Sequence, residues 1–125
     1  MKRSLALIVV LSFSAFAQTA DLAKGTYARN GVLIGLTNLA PLSDCSIKGM
    51  KGKVKSVKFD GDTVTFDLKE KKERQSFQFS LAKIGAPERK SLRRGFMKKG
   101  IPLRVSGYAC NENGPVQAIS IDRVY

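Results

Sequence analysis

The dipeptide Asp60-Gly61 stands between two runs that each alternate apolar and polar residues, and this pattern constrains the fold more than any other feature of the chain. Before it, Val57 and Phe59 flank Lys58. After it, Val64, Phe66 and Leu68 alternate with Thr63, Thr65 and Asp67. A period of two places the apolar side chains on one face of a strand and the polar ones on the other. Asp-Gly between two such runs signals a tight hairpin, because glycine takes the positive φ that the turn requires. Upstream, Val54 falls out of step with Val57 and Phe59. That slip predicts a bulge near Lys55-Ser56, bending a long first strand so that the sheet can curl.

The rest of the chain supplies three more strands and one helix. Lys69 to Arg74 is charged and lacks an apolar side chain, so it reads as a solvated hairpin loop. From Gln75 to Ala82, Phe77, Phe79 and Leu81 share one face while Ser76, Gln78 and Ser80 share the other. The period then changes: Pro87 suits a helix first turn, Glu88 its positive start and Lys98-Lys99 its end, with Gly100 as the stop. Leu92 and Phe96 are spaced i,i+4 with Met97 beside them, although Gly95 interrupts the helical pattern. A fourth strand sets Leu103, Val105, Gly107 and Ala109 against Arg104, Ser106, Tyr108 and Cys110. Asn111 to Pro115 is a turn cluster. The last strand starts at Val116 and carries Ile119 and Ile121 on one face. In segment 21–44, Val32, Leu33, Ile34 and Leu36 suggest an extra strand.

The amino terminus and the cysteines bear on where the chain works. Lys2 and Arg3 precede an apolar run from Leu5, which ends in the small-x-small segment Ala15-Phe16-Ala17. This is the pattern of a secretory signal peptide over residues 1–17, with cleavage after Ala17 or, as second choice, after Ala20. The run is too short for a membrane span, which takes roughly 20 mainly apolar residues. An exported chain, in the bacterial periplasm or outside the cell, is expected. Two cysteines, Cys45 and Cys110, in a short exported chain point to a disulfide, the alternative being two buried thiols.

The order strand, strand, strand, helix, strand, strand resembles the OB-fold, a five-stranded Greek-key barrel. The resemblance covers 52–125. It is carried by Gly52-Lys53-Val54-Lys55-Ser56-Val57, Val64-Thr65-Phe66-Asp67-Leu68, Gly100-Ile101-Pro102-Leu103-Arg104-Val105-Ser106-Gly107-Tyr108 and Gln117-Ala118-Ile119-Ser120-Ile121. It is strongest to OB domains of the anticodon-binding type. The expected fold is therefore all-β with one helix: a barrel with its helix between strands three and four, preceded by an N-terminal extension over 18–51. Another small barrel or sandwich with an attached helix is the alternative. In the OB topology the first and fourth strands are antiparallel neighbours, which would bring Cys45 beside Cys110.

Charge and missing groups narrow the function. Removing residues 1–17 takes away Lys2 and Arg3 and no acid, leaving 20 basic against 10 acidic side chains, a formal charge of +10. Such a bias favours anionic partners, or serves solubility alone. The chain has no histidine, hence neither the commonest general base nor the commonest neutral metal ligand. A disulfide would remove the thiolates as well. Asp60 and Asp62 bracket Gly61 as a turn rather than a cation loop, which needs more ligands. No enzyme activity, metal or cofactor is expected. Exported OB-folds include the haem chaperone of cytochrome c maturation, which holds haem through a histidine that this chain lacks.

Two basic groups are the candidate ligand-binding residues: Lys53, Lys55, Lys58 and Arg104 on the outer face of strands one and four, with Lys51 extending them, and Arg89, Lys90, Arg93 and Arg94 with Lys98 and Lys99 on the helix. Arginine and lysine there could hold phosphate or carboxylate by charge-assisted hydrogen bonds. Tyr108 is either an exposed aromatic beside them or packed against the extension. Single-stranded nucleic acid would need aromatic platforms, yet Phe66, Phe77 and Phe79 fall on the apolar face. The expected function is a non-catalytic binding module that engages an anionic envelope polymer, lipid headgroup or nucleic acid. A protein adaptor of the envelope is the alternative.

Overall fold

The computed structural model describes residues 22–124, so the signal peptide read over residues 1–17 and both cleavage points lie outside the described residues. Within them the chain forms β1 (Lys24–Tyr27), β2 (Leu33–Thr37), β3 (Ser46–Asp60), β4 (Thr63–Glu70), β5 (Glu73–Ser80), β6 (Pro102–Ala109) and β7 (Val116–Arg123). Between β5 and β6 lies a short helix, α1 (Ala86–Ser91), which runs on into a wider π-type turn over Leu92–Phe96.

The long strand β3 belongs to two antiparallel pairs. Residues 46–53 bond to β6, from Ser46 opposite Ala109 to Lys53 opposite Pro102. Residues 53–60 bond to β4, from Lys53 opposite Lys69 to Asp60 opposite Thr63. The register slips between Val54 and Ser56, so Lys55 is the extra residue of the expected bulge. Just before it, Gly52 faces the β4 backbone so closely that an added Cβ would lie 2.9 Å from the carbonyl oxygen of Lys69. Any larger residue would push the two strands apart at the bend.

From β4 the sheet continues to β5, then to β7 in a parallel pair through Phe77/Val116 and Gln78/Gln117. β7 pairs antiparallel with β6, and β6 returns to β3, closing the circuit. The result is a five-stranded OB-fold-like Greek-key barrel with its helix between the third and fourth barrel strands. The extension adds a hairpin: β1 pairs with β2, and β2 lies against β7 through Gly35/Asp122 and Leu36/Ile121. Leu33, Leu36 and Leu39 enter the same core as the barrel residues.

That core is built by the alternation seen in the sequence. Phe66 stacks on Phe77 with ring centroids 5.5 Å apart and meets Phe79 edge-on at 6.1 Å. All three are buried, and each such ring contributes about 1.5–3 kcal/mol of hydrophobic stabilisation. Leu92, Phe96 and Met97 close one end of the core from the helix side, as their spacing implied.

Four local features differ from expectation. The first barrel strand starts at Ser46 rather than 52, because residues 46–49 are exposed and carry no alternation; pairing to β6 defines them. Lys69 to Arg74 is not a loop: β4 reaches Glu70, β5 starts at Glu73, and Lys71-Lys72 alone make the turn, with Lys71 at φ 53°. At this rim neither face of the hairpin is buried, which removes the apolar half of the pattern. The helix ends early, at Gly95 (φ 134°), where the Arg123 guanidinium donates to the carbonyls of Gly95 (2.7 Å) and Phe96 (3.1 Å). Those are the carbonyls that a helix end leaves without partners. In β7 a register slip against β6 leaves Ile119 half-buried, so Val116, Ala118 and Ile121 are the inward residues.

Cys45 and Cys110 are bonded, with Cα atoms 5.0 Å apart and a sequence separation of 65. The bond ties the start of β3 to the end of β6, one seam of the barrel. A loop of that length, in the chain-entropy treatment, stabilises the fold by about 4 kcal/mol. Urea unfolding of the oxidised protein against its reduced and alkylated form is expected to show a loss of about that size. A loss below about 1 kcal/mol would mean that the seam holds without the bond.

Candidate functional site

A cleft of about 300 Å³ opens where β3, β4 and the segment before β6 meet, and five lysines line it: Lys53, Lys55, Lys69, Lys71 and Lys99. Each arrives by a different local device. Lys53 and Lys69 are directly opposed across the β3–β4 ladder, so their side chains leave the same face. Lys55 is the bulged residue, and Lys71 opens the β4–β5 turn. Lys99 is carried in by two backbone hydrogen bonds: the Gly100 N–H donates to the Val54 carbonyl (2.8 Å), and the Val54 N–H donates to the Ile101 carbonyl (3.0 Å). All five lysines are exposed, and no carboxylate lines the cleft.

The cationic surface continues from the cleft over β3 onto β6. Lys51, two residues before Lys53 and on the same face, is directly opposed to Arg104. Two like-charge pairs thus sit side by side, Lys53/Lys69 and Lys51/Arg104. Each such pair is destabilising by a fraction of a kcal/mol. Among the described residues the one ion pair is Arg74 with Asp67, at 2.8 Å, so none of these cations is neutralised by a salt bridge. Carboxylates border the strip: Asp122 is opposite Arg104 on β7, and Asp67 lies on the outer face of β4.

The residues expected to bind a ligand therefore separate. Lys53, Lys55 and Arg104 come together with Lys51. Lys58 is exposed on the same outer face, opposite Thr65, but does not line the cleft. Of the helix group, Lys99 joins them in the cleft and the arginines do not. The Arg89 Nε donates to the Ile84 carbonyl (2.8 Å) and serves the fold, and the Arg93 guanidinium lies 5.3 Å over the Phe59 ring, covering a phenyl group that is 37% exposed. Arg94 lines a separate hollow with Val32, Ser91, Phe96 and Arg123, and Lys90 is exposed on α1. Of the two placements expected for Tyr108, exposed or packed, the exposed one is excluded. It is 7% exposed and lies outside the main core cluster, so it offers no open ring beside Arg104.

Two cleft residues, Lys69 and Lys71, were not among the expected ligand-binding set, and Lys99 was expected there with the helix group rather than beside Lys53. For the first two the missed signal was the short turn: once Leu68 and Gln75 are paired, Lys69 must face outward beside Lys53. Nothing local to Lys99 foretells its position, which depends on the early end of the helix. The outer face of β4 and β5 carries Thr65, Asp67, Ser76 and Gln78. No aromatic residue lines the cleft. Compared with models of known protein families and with curated proteins, the chain finds no match.

Burial pushes the Asp67 carboxyl up, but hydrogen bonds from Ser76 Oγ (2.5 Å) and the Arg74 guanidinium (2.8 Å) outweigh it and hold the group below its ordinary value of 3.8. A depressed carboxylate stabilises the fold above its unfolded value, and this contribution is lost as pH falls through the lower native value. Urea midpoints measured between pH 5 and about pH 2 are expected to fall less steeply for Asp67→Asn than for the parent chain, the difference developing below pH 3.8. Identical slopes would show that Asp67 takes no part in acid unfolding.

Proposed function

We propose that this chain is a non-catalytic, exported binding module whose lysine cleft holds an anionic ligand. The observation that carries the reading is the convergence of five lysines without a lining carboxylate, two of them, Lys53 and Lys69, directly opposed, beside a second opposed pair, Lys51 and Arg104. Folding alone gains nothing from opposing Lys53 to Lys69 and Lys51 to Arg104, since either pair with one sign reversed would be more stable. An anion in the cleft relieves the Lys53/Lys69 repulsion, and lysine ammonium groups give charge-assisted hydrogen bonds to phosphate, sulfate or carboxylate oxygens. The absence of histidine from the sequence and the capture of both cysteines in a disulfide support a binding rather than a catalytic role. The disulfide also supports export, as does the signal-peptide pattern of residues 1–17. The likeness to anticodon-binding OB domains belongs to this reading as a kinship of strand and glycine pattern. It does not bring nucleic-acid binding with it, because the cleft lacks a stacking ring.

A protein adaptor is the second reading. It is favoured by Leu42 and Ile47, which are 96% and 70% exposed on the segments flanking Cys45. A partner held there would be indifferent to charge in the cleft.

Lys69→Glu tests the main reading because it moves stability and binding in opposite directions. It converts the Lys53 pair to opposite charge and is expected to raise the unfolding free energy by about 0.2–1 kcal/mol. Retention of the folded protein on heparin should weaken in the same variant, and retention of the parent chain should fall steeply with salt. Unchanged retention of Lys69→Glu, or indifference of the parent chain to salt, would falsify the cleft as the anion site.

A further inference from the structure

Resting on the anion-binding reading of the cleft, we infer that the ligand is a linear, base-free polyanion that runs from the lysine cleft along β3 toward Arg104. The first reason is the layout of charge. Arg104, Lys51, Lys53 and Lys69 follow one another over three adjacent strands on one face, with opposed residues about 5 Å apart and the step along β3 about 7 Å. One compact anion in the cleft reaches the lysines there and leaves the Lys51/Arg104 repulsion in place. A chain of repeating charges relieves both pairs. The strip is also bounded, by Asp122, which stands opposite Arg104 and lines the far side of the hollow that Lys51 and Arg104 share, and by the Asp67–Arg74 ion pair beside Lys69. It therefore takes a segment of definite length rather than an indefinite coat.

The second reason is what the strip lacks. Bases of a single strand are held on aromatic faces, and no aromatic side chain lines the cleft or the hollow between Lys51 and Arg104. A bilayer surface would be held by charge together with inserted apolar side chains. The exposed large apolar residues, Leu22, Tyr27, Val32, Leu42, Ile47 and Phe59, are absent from the lining of both. What remains is a polymer that presents closely spaced anionic groups and little else, such as a phosphate chain.

Titration calorimetry on the full oxidised protein with four probes tests this: tripolyphosphate, a long inorganic polyphosphate, an oligo(dT) of matched charge, and vesicles rich in phosphatidylglycerol. Affinity is expected to rise at least about tenfold from tripolyphosphate to the long chain beyond the statistical factor, as linked contacts do. That gain should disappear in Lys51→Gln/Arg104→Gln, a neutralising pair at exposed positions, while tripolyphosphate binding stays within about twofold, since its site is the cleft. Equal affinity per phosphate for short and long chains would overturn the inference and leave the anion site standing. Tighter binding of oligo(dT) that survives high salt, or tighter binding of the vesicles, would overturn it in favour of bases or a membrane. Failure of all four probes at low salt would remove the anion site itself.

Discussion

Everything in this molecule depends on one strand being shared. β3 uses its first half to bond β6 and its second half to bond β4, and it changes partner at Gly52-Lys53. A strand that is straight and evenly pleated cannot do both, because the two partners must lie on opposite edges and at an angle. The bulge at Lys55 supplies the bend, and Gly52 permits the close approach to the Lys69 carbonyl that the bend demands. Closure then removes the free sheet edges that such a sheet would otherwise present. The disulfide holds the far end of the same seam, where β3 and β6 extend beyond the core and hydrophobic burial is weakest.

The cationic cleft is a by-product of that same geometry. A bulged residue loses its ladder partner and is free to point away from the regular pleat, which releases Lys55. The partner change places Lys53 opposite Lys69 on one edge, while Lys51 is opposite Arg104 on the other. The loop that leads into β6 hydrogen-bonds to Val54 at the bend and carries Lys99 with it. Five lysines from four segments thus meet at the place where the sheet is most distorted. The strand face most often used by OB barrels, here β4 and β5, has its phenyl rings inside and carries Thr65, Asp67, Ser76 and Gln78 outside, with the Lys69/Arg74 pair at its rim. Function in this chain is therefore sought at the bend rather than on that face.

The helix side is organised for stability. Arg123 closes the carbonyls exposed where the helix stops at Gly95 and lies 5.5 Å over Phe96. Arg89 serves the carbonyl of Ile84, and Arg93 shields Phe59. Tyr27 donates a hydrogen bond to Glu88, which raises the phenol above its ordinary pKa and ties β1 to α1. Read as sequence, the basic residues at 89–99 look like one patch; in space they part, Arg89 and Arg93 serving the fold, Arg94 lining a separate hollow and Lys99 entering the cleft.

Alternation over 57–68 and 75–81, the Asp60-Gly61 turn, the bulge at Lys55 and the pairing of Cys45 with Cys110 were all legible before any coordinates, because each follows from short-range rules of period, turn chemistry or cysteine number. The barrel order was legible through the resemblance that those elements compose. The fourfold meeting of β3, β4, the turn at Lys71 and the segment at Lys99 was not, since exposed lysines carry no periodic signal and two of these segments lack an apolar face altogether. Burial writes itself into sequence as pattern; the convergence of solvated charges does not, and here only the closing of the barrel decided which lysines became neighbours.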